Sequence, residues 1–146
     1  MTTREAQNKA IVRRFFEAFE ANDLAALQEV LAPDLVAYSH GQPDAVNREQ
    51  HLETIRAWNA SFSDTHFTIE EQLAEGDKVA TRMTFRSVHS RADFMGLPPT
   101  GKQVVTSGVS LERIKGGRIV ERRVQSDWLA MLQQLGLIAA PQPSAK

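Results

Sequence analysis

The sequence predicts an α+β fold, a curved antiparallel sheet wrapped around N-terminal helices with an internal apolar cavity between the two layers. Two observations carry this. Apolar residues recur at helical spacing as far as Trp58, and at strand spacing from Thr65 onward. Between two alternating segments, Gly116 and Gly117 mark a two-residue hairpin whose central residues both need positive φ.

Each element follows from local residues. Over 6–20, Ile11, Val12, Phe15, Phe16 and Phe19 form one broad helical face. Asn22 or Asp23 caps a short second helix bearing Leu24, Leu27, Val30 and Leu31, which Pro33 ends. An extended piece over 35–39 leads into a turn over 41–44. Asn47, with Gln50 three residues on, caps a third helix in which Leu52, Ile55 and Trp58 share a face. From Thr65, Phe67, Ile69 and Leu73 mark a half-buried strand, and Gly76 turns the chain into Val79, Thr81, Met83 and Phe85. A loop centred on 94–102 precedes a strand over 104–114, and the last strand spans 118–125. A short helix with Trp128, Met131, Leu132 and Leu135 follows, stopped by Gly136. Residues 1–138 read as one domain, and 139–146 as a flexible tail with nothing to bury.

Composition excludes several classes. Lys and Arg number 17 against 18 Asp and Glu, so the basic footprint of a general nucleic-acid binder is missing. With no cysteine there is no disulfide, thiol nucleophile or Cys-type zinc site. Neither a signal peptide nor a membrane-length apolar run is evident, so a cytoplasmic protein is expected. The 4 histidines lack zinc-ligand spacing, and no metal is expected. Gly96 to Lys102 has the spacing of a phosphate loop. Pro98 and Pro99 remove backbone donors there, however, and Gln103 stands where a hydroxyl should hold magnesium.

Three residues carry candidate chemistry. His89 shares a face with Val79, Met83 and Phe85, so it either points into the cavity or sits exposed at a strand end. Arg122 lies between Val120 and Val124, and either enters the cavity, reaches a solvent edge, or pairs with a carboxylate such as Glu112 across the hairpin. Asp127 stands where the last strand meets the last helix, and is a general base, a helix cap, or both. On the 104–114 strand the apolar side (Val105, Val109, Leu111) opposes the side carrying Ser110. One of these faces lines the cavity, and the other is free to meet a second copy.

The run Phe94-Met95-Gly96-Leu97-Pro98-Pro99-Thr100-Gly101-Lys102 resembles the signature loop of SnoaL-like polyketide cyclases. The stretch from Arg113 to Glu121, the segment from Asp127 to Gly136 and the aromatic first helix extend that resemblance over nearly the whole chain. It implies a cystatin-like α+β barrel, the fold of ketosteroid isomerases and nuclear transport factor relatives, with the outer sheet face forming a homodimer. It also implies a small hydrophobic substrate and acid–base chemistry without cofactor. Matched without gaps from the Pro98-Pro99-Thr100 loop, the family's catalytic aspartate falls on Val124 and its pocket histidine on Ser110. Asp127 matches a second acid of the family pattern. The resulting expectation is an enzyme acting on a polyketide-like or polycyclic ligand, with Asp127 as acid–base group, Arg122 holding oxyanion charge and His89 orienting the substrate. Tyr38, Trp58, Phe15, Phe19, Phe85, Ser110 and Val124 line its pocket. A related isomerase or hydrolase, or a pocket protein without catalysis, fits the same fold.

Overall fold

The structure, a computed structural model, describes residues 2–39 and 43–139. The helices are α1 (Thr3–Ala21), α2 (Leu24–Val30), α3 (Arg48–Ser61) and α4 (Trp128–Leu135). The strands are β1 (Leu31–Ser39), β2 (Phe62–Glu75), β3 (Lys78–His89), β4 (Gln103–Lys115) and β5 (Arg118–Ser126). The sheet runs β1-β5-β4-β3-β2 and does not close. Strands β2 to β5 form the antiparallel meander, and β1 adds to its β5 edge in parallel. The expected tail lies outside the described residues except for Ala139, as do Gly41 and Gln42 of the expected turn.

Local chemistry sets most boundaries. Thr2 and Glu5 form a capping box at the start of α1, and Asn22 closes it in the left-handed region at φ 51°. Asp23 then caps α2 by accepting from the Ala26 amide. Asn47 and Gln50 cap α3 reciprocally, and Gly136 ends α4 at φ 86°. The Gly116–Gly117 turn has φ of 61° and 77°. Pro33, however, does not end a helix. The chain turns extended at Leu31, and Pro33 lies in β1 where its register with β5 slips between Leu31 and Val36. An edge strand with such an irregularity tolerates a missing backbone donor.

Burial alternates strictly along β4: Val104, Thr106, Gly108, Ser110, Glu112 and Ile114 are buried, their neighbours exposed. The buried side is therefore the polar one, and Val105, Val109 and Leu111 lie on the outer face. Two hydrophobic clusters fill the concave side. The larger joins α1, α2 and α3 to the sheet through residues such as Phe15, Leu27, Ile55 and Ile119. The smaller gathers Phe62, Val104, Met131, Leu132 and Leu135 beneath α4. Helix α4 is tied down where β5 runs out: the Gln134 side chain accepts from the Val105 amide at 2.7 Å and donates to its carbonyl at 2.9 Å. One side-chain amide thus replaces a missing strand residue.

Candidate functional site

The hairpin register places Arg122 directly opposite Glu112, and Ser110 opposite both Val124 and Thr81. All of these point to the concave face, where α1 covers the first two. Glu112 and Ser110 are fully buried and Arg122 is 6% exposed. The Ser110 hydroxyl donates to Glu112 Oε1 at 2.9 Å. Arg122 Nε sits 2.9 Å from Glu112 Oε2 with its N–H turned off the line between them, so the contact is an ion pair rather than an aligned hydrogen bond. The guanidinium lies over the Phe15 ring, 4.4 Å from its centre. Arg122 is thus buried inside the molecule and paired with Glu112 across the hairpin.

Electrostatics follow from this burial. Desolvation raises the Glu112 carboxyl above the ordinary range, while Arg122 and the Ser110 hydroxyl pull it back. Burial lowers Arg122 from a very high ordinary value, and it keeps its proton. His51, 7% exposed, lies parallel to the Phe15 ring, with centroids 6.1 Å apart. Burial first, and Arg122 second, push its pKa down to about 3. A neutral imidazole and a guanidinium therefore both lie on the Phe15 ring, and the guanidinium is paired with the Glu112 carboxyl. Farther across the sheet the polar seam continues, with Gln72 donating to Thr81 Oγ1 at 3.1 Å and accepting from Arg13 at 2.8 Å.

The other expected residues are distributed more widely. Asp127 is exposed and caps α4, accepting from the Ala130 amide at 3.0 Å. His89 is fully buried and in phase with Val79 and Met83, as expected, but at the far end of β3. Its Nε2 lies 2.9 Å from the Ala92 carbonyl and its Nδ1 3.3 Å from the Thr100 hydroxyl, so the ring pins the loop before β4. Tyr38 points to the outer face, where the Arg123 guanidinium lies 4.1 Å from its ring centre. Phe15 belongs to the Arg122 group, and Phe19 flanks it edge-on at 6.4 Å. Trp58 stacks on Phe62 at 3.8 Å and meets Phe85 at 5.2 Å, in the aromatic cluster under α4. Val124 is partly exposed and pairs with Ser110 across the hairpin.

Two residues of the group were not sequence candidates. Glu112 entered only as a partner for Arg122, although the Gly116–Gly117 turn fixes their register. His51 was set aside for lacking metal spacing, although it lies four residues before Ile55 and seven before Trp58 on the inner face of α3. Two open grooves among the described residues, of about 450 Å³ beside Asn8 and Lys115 and about 530 Å³ between α1 and α2, lie outside this group. Among the described residues no set of side chains could hold a metal ion, and no helix is long and apolar enough to cross a membrane.

The comparisons converge on one family. Residues 9–135 match the family model for SnoaL-like polyketide cyclases. The chain is similar to IdmH of Streptomyces antibioticus, described as a candidate polyketide cyclase, with 36% identity, TM-score 0.80 and coverage of 89% of this chain and 99% of that one. A candidate hydroxylase, AclR of Streptomyces galilaeus, shares 27% identity at TM-score 0.84, over 94% of this chain and 86% of that one. A candidate SnoaL-like polyketide cyclase of Jannaschia sp. CCS1 shares 26% at TM-score 0.84, over 97% and 98%. No curated protein matches the chain. With the family model spanning most of its length and the fold agreeing throughout, the chain belongs to the SnoaL-like polyketide cyclase family.

Proposed function

We propose that this chain is an enzyme that binds a hydrophobic, polyketide-like or polycyclic substrate between the helices and the concave sheet face, and moves protons on it without a cofactor. The observation that carries the reading is the buried Arg122–Glu112–Ser110 group, with Arg122 over the Phe15 ring and Ser110 at the position that the resemblance gives to the family's pocket histidine. Arg122 supplies fixed positive charge for a developing enolate or alkoxide. Glu112, its proton affinity raised by burial, is the acid–base group, and Ser110 holds one of its oxygens in place. Asp127 serves as the cap of α4 in this reading. The exposed Val105, Val109 and Leu111 on the outer face pack against a second copy, which sedimentation of the purified protein checks.

Thermal melting against planar aromatic polyketides, steroids and small epoxides tests the proposal. A ligand at 100 times its dissociation constant stabilises the fold by roughly 2.7 kcal/mol, a shift of about 5–10 °C at this chain length. A shift with one class, abolished turnover in Glu112→Gln and retained turnover in Asp127→Ala are expected. A second reading, a binding protein without catalysis, is favoured by the valine at the family's catalytic aspartate position. It predicts the same shift with no product formed.

A further inference from the structure

Two ring nitrogens on α3 are closed off from solvent and, among the described residues, have no hydrogen-bond partner: His51 Nε2 and Trp58 Nε1. Seven residues separate them, so they share the inner face of the helix about 10 Å apart along its axis. Buried N–H groups without an acceptor are rare in folded proteins, because their desolvation is uncompensated. Trp58 Nε1 is a donor only. The indole itself is fixed by Phe62 at 3.8 Å and by Phe94 at 5.6 Å. His51 is a weak base as well as neutral, so it suits donation through Nε2–H better than proton abstraction. Beside it Arg122 favours negative charge, whereas Trp58 belongs to an apolar cluster with Phe62, Phe85 and Phe94.

We propose that α3 is the substrate-reading element of the site, His51 and Trp58 each donating to one oxygen of an extended apolar molecule, with the more anionic oxygen at the His51 end. This rests on the proposed concave binding site and adds what it selects. Both nitrogens are shut in, so binding parts α3 from the sheet.

The test uses the rigid three-ring diphenol anthraflavic acid and its parent anthraquinone, which lacks the two end hydroxyls. Calorimetry should show the diphenol binding at least about tenfold more tightly, since a site built for an oxygen rejects its absence. Trp58→Phe and His51→Phe, which keep a flat ring in each place, should each remove most of that preference. His51→Gln, which keeps a donor, should retain it. On binding, the Trp58 indole N–H and the His51 ring nitrogens should shift in ¹⁵N NMR, a signature that a packing role does not produce. Equal affinity for the two compounds, or an unchanged preference in both Phe variants with unmoved resonances, would overturn the inference while leaving the binding site standing. Binding of neither compound overturns both.

Discussion

Replacing Arg122 with Met removes the cation beside a carboxylate that has no exposure to water. The Glu112 side chain keeps the Ser110 hydroxyl but loses the charge that offset its burial. Losing one partner of a buried pair costs about 3–5 kcal/mol. Methionine restores some of the packing over Phe15 but not the attraction between the guanidinium and its ring. At this chain length the loss corresponds to a melting temperature lower by about 6–20 °C. Replacing Glu112 with Leu in the same chain removes the stranded carboxylate, so the double variant should be more stable than Arg122→Met alone. Urea denaturation of the wild type, both single variants and the double variant measures that coupling. The pH dependence has a definite sign. Without Arg122, the folded pKa of Glu112 lies further above its unfolded value, so protonation favours the folded state. The deficit of Arg122→Met is therefore full above that folded pKa and shrinks as pH falls through it. A single-variant cost below about 1 kcal/mol, with additive effects in the double variant, would refute the buried pair.

His51 gives the opposite sign. Its folded pKa of about 3 lies below its ordinary 6.5, so the unfolded chain binds the extra proton. Stability should be full above pH 6.5 and fall by about 2 kcal/mol by pH 5, a loss that His51→Gln flattens in melts across pH. Arg122 and Glu112 remain in that variant, so the difference curve isolates the imidazole. Asp127→Ala removes the α4 cap and should cost about 0.5–2 kcal/mol with turnover per folded molecule retained. Lost turnover with unchanged stability would return Asp127 to the chemistry.

The fold was legible because caps and turns carry local signals: Asn47 with Gln50, Gly116 with Gly117, and Gly136 each act where the sequence places them. Pro33 misled because its usual effect on helices hid an irregular edge strand. The wet face of the sheet was not legible, because β4 inverts the usual pattern. Its buried side carries Thr106, Ser110 and Glu112, and its exposed side Val105, Val109 and Leu111. Hydrophobic alternation gives the period of a strand but not the layer that covers it. Arg122 was legible as a candidate, and its pairing with Glu112 followed from hairpin register. That the pair is sealed beneath Phe15 depends on how α1 crosses the sheet, which local periodicity does not encode. His51 was illegible for the same reason, since its environment comes from α1 and β5 rather than from its neighbours in α3.

The most direct test is to melt the wild type and the Arg122→Met, Glu112→Leu double variant with each compound of the aromatic polyketide panel. The account predicts that a compound stabilising the wild type by several degrees leaves the folded double variant unmoved. An equal shift in both proteins would place the ligand elsewhere and contradict the assignment of this buried group as the binding site.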